Sequence, residues 1–73
     1  MKTFRVIHFK RGFIDLYQSQ VKTWYGWRSF SAHRDGCVYY LDNPGTERQW
    51  ALDNIEYYRL GKGLNKKDIK IIE

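Results

Sequence analysis

The first third of the chain alternates between apolar and polar residues with the period of β-strands. From Thr3 to Lys10, branched and aromatic residues occur on both sides of the alternation, a pattern typical of a strand. The alternation resumes from Phe13 to Lys22. Gly12 lies between the two runs and can adopt the positive φ that a tight reversal requires. The pattern therefore predicts a β-hairpin.

Two further reversals extend the predicted sheet. Gly26 marks the first, and we expect a short strand over residues 27–33 after it. Asp35 and Gly36 mark the second, because Asp-Gly is a strong hairpin dipeptide, and residues 37–41 follow as a strand. With the first hairpin, these segments predict a meander of up to four antiparallel strands.

A turn and a helix follow the strands. Residues 42–45 read Asp-Asn-Pro-Gly, the clearest break in the chain. Thr46 and Gln49 have the spacing of a capping box, in which the hydroxyl and the amide side chain satisfy backbone N–H groups of the first turn. We therefore expect the helix to begin at Thr46. The residues at helical spacing on its buried face are Ala51, Ile55 and Tyr58.

The end of the chain predicts one more strand. Gly61 and Gly63 indicate where the helix stops. Residues 68–73 alternate again and are expected to pair with an edge of the sheet. The expected fold class is α+β, an antiparallel sheet of three to five short strands with one helix packed on one face. Seventy-three residues leave room for a single domain, residues 1–73.

Composition predicts a folded protein without catalytic or metal chemistry. The chain is 42% hydrophobic, and its single cysteine, Cys37, excludes an internal disulfide. We expect Cys37 to pack as a small apolar residue in a strand. His8 and His33 have no Cys, His or carboxylate at ligand spacing, so neither a metal nor a cofactor is expected. Asp15 is expected to pair with Arg or Lys of a neighbouring strand rather than to act as a general base.

Location follows from what the chain does not contain. No apolar run of signal-peptide type opens the sequence, and no segment approaches the length of a membrane span. Together with the lone thiol, these features predict a cytoplasmic protein that does not contact membranes.

The net charge of +5 is unevenly distributed. Residues 1–34 contain seven Lys or Arg and one acidic residue, whereas residues 35–60 contain two basic and five acidic residues. If these segments occupy different faces, the molecule has a positive side and a negative side. Four lysines near the end form either a solvated connector or a strip that contacts phosphate. They are Lys62, Lys66, Lys67 and Lys70.

Aromatic residues are concentrated in the basic segment. The first thirty residues contain eight of the thirteen aromatics. Cations attract phosphate at long range and flat rings stack on unpaired bases, so this mixture indicates a nucleic-acid surface. The candidate binding residues are Trp24, Tyr25 and Trp27 for stacking, Arg11 and Arg28 for phosphate contacts, and Lys10 and Lys22 for long-range attraction.

Part of the sequence resembles known proteins. The residues that carry the resemblance are Trp24, Trp27 and Phe30, then Thr46 to Ala51, then Ile55 and Tyr58. Over residues 24–60 the chain resembles small accessory proteins of tailed bacteriophages, of the host-takeover or anti-defence type. The resemblance implies a protein that acts in the host cytoplasm by stoichiometric binding to nucleic acid, to a host enzyme or to an immune component. It assigns no functional residue to this chain.

Two functions fit these observations. The first is a small non-enzymatic protein that binds RNA or single-stranded nucleic acid through a basic aromatic surface. The alternative is a phage-type inhibitor that binds and blocks a host protein, because Trp, Tyr and Arg also supply the energetic hot spots of protein interfaces. Either function is compatible with a homodimer, which we expect because a core of this size is marginal without a disulfide or a metal.

Overall fold

The computed structural model describes residues 1–72, which contain six β-strands, one α-helix and a short 3-10 helix. The strands are β1 (Lys2–Arg11), β2 (Ile14–Thr23), β3 (Gly26–Ser29), β4 (Ser31–Ala32), β5 (Val38–Tyr39) and β6 (Ile69–Ile72). The helix α1 spans Arg48–Gly61, and the 3-10 helix Lys66–Asp68 precedes β6. The predicted α+β class is confirmed.

The main sheet has four strands in the order β3-β2-β1-β6. The first hairpin forms as predicted, with Phe4 of β1 opposite Val21 of the antiparallel β2, and β3 continues the sheet beyond β2. The final strand also pairs with an edge, but β6 lies parallel to β1, with Ile71 opposite Phe4. The sheet is therefore mixed rather than purely antiparallel. The chain reaches the β1 edge only after α1 has crossed one face, and such a crossover returns a strand in the same direction.

The strand predicted over residues 27–33 is divided into β3 and β4. Phe30 donates its N–H to Ser19 O at 3.1 Å, but its own carbonyl accepts from the Gln18 side chain at 3.1 Å. A side chain thus replaces the next ladder bond, and the chain leaves the main sheet. β4 then pairs with β5 in a separate two-stranded sheet, through the predicted turn at Asp35 and Gly36.

Three rings form the centre of the core, one from β1, one from the residue between β3 and β4, and one from α1. Phe4, Phe30 and Tyr58 are almost completely buried, with ring centroids 5.0 to 5.9 Å apart. Edge and tilted contacts of this kind add to the burial of apolar surface. The predicted buried face of α1 is confirmed, because Ala51 and Ile55 are buried with Tyr58.

The prediction for the start of the helix is wrong. α1 begins at Arg48, its N-cap residue Glu47 has extended backbone angles, and no side chain caps the helix. The cause lies outside the helix. Gly45 exchanges two backbone hydrogen bonds with Tyr17 of β2, at 2.8 and 3.0 Å, and a Cβ at Gly45 would lie 2.5 Å from the Trp50 ring. These contacts hold the chain extended past Thr46, so the capping box does not form.

A buried arginine fastens the end of α1 to the segment that follows. Arg59 donates from Nε to Glu56 Oε2 at 3.0 Å and from Nη1 to Leu64 O at 2.9 Å. The pairing raises the pKa of Arg59 and lowers that of the Glu56 carboxyl. Leu64 packs against the core, and the chain is directed from there to the 3-10 helix and β6.

Candidate nucleic-acid interface

An open groove of about 920 Å³ lies at one end of the main sheet. The turn between β2 and β3, the start of β1 and the 3-10 helix surround it. Its aromatic and basic lining residues, which define the basic groove, are Trp24, Tyr25, Lys2, Lys22, Arg28 and Lys67. Met1, Thr23, Leu64 and Asp68 complete the lining.

A two-residue turn places both rings of the groove outside the core. Thr23 pairs with Gly26 across the turn, its hydroxyl donates to Gly26 O at 2.6 Å, and Gly26 has a φ of 128°. Trp24 and Tyr25 form the loop itself. Trp24 is 94% exposed and Tyr25 is 58% exposed, and their rings contact each other edge to face at 5.2 Å. Two large rings are therefore available to a ligand.

The cations of the groove come from four separate elements. Lys2 begins β1, Lys22 lies near the end of β2, Arg28 lies in β3 and Lys67 in the 3-10 helix. The Arg28 guanidinium stacks on the Tyr40 ring at 4.1 Å, which restricts its position. Four positive charges next to two exposed rings can attract a phosphate chain and hold unpaired bases.

The one acidic side chain among the groove residues has a structural role. Asp68 Oδ2 accepts a hydrogen bond from the Asn65 N–H at 3.2 Å, and the Asn65 side chain accepts one from the Asp68 backbone N–H. This capping box fixes the 3-10 helix and so the direction in which Lys67 leaves the backbone.

Four of the seven predicted binding residues meet in this groove and three do not. Trp24, Tyr25, Lys22 and Arg28 line it. The others are Trp27, Lys10 and Arg11. Trp27 lies on the sheet, where its ring carries the Arg5 guanidinium at 4.2 Å.

Lys10 and Arg11 lie at the far end of the first hairpin. β1 has ten residues, which span about 30 Å at the rise of a β-strand. They are therefore separated from Trp24 by most of the length of the molecule, whose longest extent is 37 Å.

Sequence reasoning missed two cations of the groove. Lys2 and Lys67 are brought there by the parallel pairing of β6, which places Ile69 opposite Lys2. The lysine cluster after residue 61 was the one signal in the sequence for this. Lys67 of this cluster lies next to the start of β1 and belongs to the basic groove.

A polar contact elsewhere corrects the prediction for Asp15. Asp15 is opposite Lys10 in the backbone register, but its carboxylate lies 2.9 Å from His8 Nε2 rather than on an Arg or Lys. His8 also stacks on Tyr17 at 4.7 Å. His8, Asp15 and Tyr17 share one face of the hairpin, because Tyr17 is directly opposite His8 and Asp15 lies two residues from Tyr17 on β2.

Cys37 is exposed and not packed in a strand as predicted. Asp35 Oδ1 accepts the Cys37 N–H at 3.0 Å, and this bond lowers the pKa of the Asp35 carboxyl. The neighbouring carboxylate in turn raises the pKa of the Cys37 thiol. A thiol with a raised pKa is a poor nucleophile at neutral pH. Within residues 1–72, no group of three or more His, Cys, Asp or Glu residues is arranged to hold a metal ion.

In the part of the chain that the structure describes, no helix has the length and apolar character needed to cross a membrane. Comparisons of the chain with protein families, with curated proteins and with solved structures each gave no match.

Proposed function

We propose that this protein binds single-stranded nucleic acid, RNA or DNA, in the basic groove and that it does so without catalysing a reaction. The observation that carries the proposal is the turn of Trp24 and Tyr25, which exposes two rings beside four cations from four elements. A ring that is 94% exposed contributes little to the core, so its position is better explained by a ligand than by folding.

Each part of the groove has a separate role in such a complex. Stacking of a base on an exposed ring contributes about 1 to 3 kcal/mol and tolerates any sequence, because every base has a π-face. Lys2, Lys22, Arg28 and Lys67 neutralise phosphates and release counterions, so affinity falls as salt rises. Arg28 is the best placed of the four for a fixed phosphate contact, because Tyr40 holds its guanidinium.

The experiment is a titration of fluorescein-labelled RNA and DNA of mixed sequence, read by fluorescence anisotropy at several salt concentrations. Trp24→Ala should weaken binding by about 1 to 3 kcal/mol and leave the salt slope unchanged. Arg28→Gln should reduce the salt slope by about one unit. Tyr39→Leu is the matched control, because Tyr39 is also an exposed ring but lies in β5, outside the groove and the main sheet.

Two results would refute the proposal. The first is that the parent protein binds neither RNA nor DNA at low salt. The second is that well-folded Trp24→Ala binds as tightly as the parent. In both cases the alternative function, an inhibitor that blocks a host protein, would lead. An interface anchored by buried rings would keep most of its affinity in high salt.

Three expectations about the setting of this function stay predictions. They are the phage-type origin, the cytoplasmic location and the homodimer. Exposed apolar residues at the tip of the first hairpin, Phe13 and Ile14, favour self-association. Light scattering at micromolar concentration should then give a mass above the 8.9 kDa of one chain. A mass of 8.9 kDa across the concentration range would rule out the dimer.

A further inference from the structure

The main sheet has a second face that α1 does not cover. On the covered face, the Phe4 ring contacts the Tyr58 ring of α1, and the Ser19 hydroxyl donates to the Ala51 carbonyl of α1 at 2.7 Å. Because side chains alternate along a strand, their neighbours point to the opposite side. The rings and cations of this open face are Arg5, Phe9 and Arg11 of β1, Lys22 of β2, Trp27 of β3 and Lys70 of β6.

The strand residues of the open face carry charge of one sign. Its strand residues in the described chain include four cations and no carboxylate. Asp15, the single acid of the first hairpin, points to the other side with His8. Strands that present four cations and two rings are complementary to a phosphate chain with unpaired bases.

One of these cations is already held in a binding position. The Arg5 guanidinium lies over the Trp27 ring at 4.2 Å and donates from Nε to Gln20 Oε1 at 2.7 Å. Gln20 in turn donates to Ser29 Oγ at 3.1 Å. The chain of contacts fixes the guanidinium and leaves its Nη donors for an acceptor such as a phosphate oxygen.

A concavity of about 240 Å³ lies further along the same face. Ile7 and Phe9 contribute apolar surface, and the loop at Asp42 and Pro44 forms the opposite wall. The loop is fixed from below, because the Asn43 N–H donates to the buried Gln18 side chain at 2.8 Å. The Asp42 carboxylate repels a phosphate, so this concavity suits a base, while phosphates pass the cations beside it.

The open face and the basic groove are continuous. Lys22 lines the groove and is directly opposite Trp27 in the β2–β3 register. Trp27 then carries Arg5, and β1 leads from Arg5 to Phe9 and Arg11. A nucleic-acid strand that leaves the groove past Lys22 therefore meets rings and cations along β1.

We propose that the nucleic-acid strand bound in the basic groove continues across the open face, with a base in the concavity beside Phe9 and phosphates on Arg5 and Arg11. This inference rests on the proposed function and extends it to a longer site. It also assigns a role to the predicted binding residues Trp27 and Arg11, which lie outside the groove.

The test compares a short oligonucleotide of about 4 nucleotides with a long one of about 12, the range of site sizes of single-strand binding domains. Phe9→Leu removes a ring but keeps apolar bulk, and Arg11→Gln removes a charge at the exposed end of β1. Phe9→Leu should weaken binding of the long oligonucleotide about tenfold and leave the short one unchanged. Arg11→Gln should reduce the salt slope by about one unit for the long oligonucleotide alone.

Controls separate this inference from the proposed function. Trp24→Ala should weaken both lengths, because both occupy the groove, and Tyr39→Leu, which removes an exposed ring outside both surfaces, should weaken neither. The inference is overturned if Phe9→Leu and Arg11→Gln bind the long oligonucleotide like the parent while Trp24→Ala still weakens it. If the parent binds neither length, the proposed function fails as well. Far-UV circular dichroism verifies that each variant is folded.

Discussion

The hydrogen bond between the hydroxyls of Tyr40 and Tyr58 predicts that substitution of the more exposed tyrosine destabilises the protein more than substitution of the buried one. The two oxygens are 3.2 Å apart. Tyr58 is 2% exposed, and Tyr40 is 39% exposed. Burial and the bond to Tyr40 raise the pKa of Tyr58. Replacing either tyrosine by phenylalanine removes the same bond, but the group left behind differs.

The two substitutions should have unequal effects on the free energy of unfolding. In Tyr58→Phe the Tyr40 hydroxyl can turn to water, so the loss is that of one ordinary hydrogen bond, about 0.5 to 1.5 kcal/mol. In Tyr40→Phe the Tyr58 hydroxyl stays buried without its partner, which costs about 1 to 3 kcal/mol. The change at the more exposed residue should therefore destabilise the protein more.

Urea unfolding followed by far-UV circular dichroism measures the free energy of unfolding of each single variant, and the double variant completes a thermodynamic cycle. The double variant should lose less than the sum of the single losses, because no buried hydroxyl is left unpaired. Phe at position 40 keeps the ring under Arg28, so oligonucleotide affinity per folded molecule should not change. A loss in Tyr58→Phe equal to or larger than that in Tyr40→Phe would refute this reasoning.

Three further predictions concern the helix and the thiol. Arg59 lowers the pKa of Glu56 below its ordinary 4.5, so their pairing stabilises the fold above that pH and is lost as pH falls through the lowered pKa. In an acid titration, the free energy of unfolding of Glu56→Gln should therefore decline less steeply than that of the parent. Parallel declines would contradict this. Thr46→Ala should change the free energy of urea unfolding by less than about 0.5 kcal/mol, since Thr46 is exposed and caps nothing. Asp35→Asn should speed alkylation of Cys37 by iodoacetamide, and equal rates would exclude the carboxylate as the cause.

Local patterns were sufficient for most elements of the fold. The alternation of the first hairpin and the helical spacing of Ala51, Ile55 and Tyr58 are properties of short segments, and the structure confirms both. Features that depend on distant contacts were not predictable. The capping box at Thr46 is locally favourable, but the pairing of Gly45 with Tyr17 overrides it.

The candidate site divides in the same way. The turn that exposes Trp24 and Tyr25 is encoded by neighbouring residues, and the sequence located it. The cations that line the groove with these rings are not all close in sequence, because Lys67 reaches the groove only through the parallel pairing of β6 with β1. Lys10 is close to Phe13 in sequence but a whole strand away from the groove, a separation that composition does not show.

The position of the helix keeps part of the acidic charge of the chain away from the open face. The acidic residues Asp53 and Glu56 belong to α1, which lies on the side of the sheet away from the open face. The cations of the open face thus have no carboxylates from the strands beside them, and they repel one another in the free protein. A polyanion on that face relieves this repulsion, and dissolved salt relieves it by screening. In the proposed complex, we therefore expect salt to weaken binding twice, by competing for the phosphates and by reducing the repulsion that a bound strand would remove.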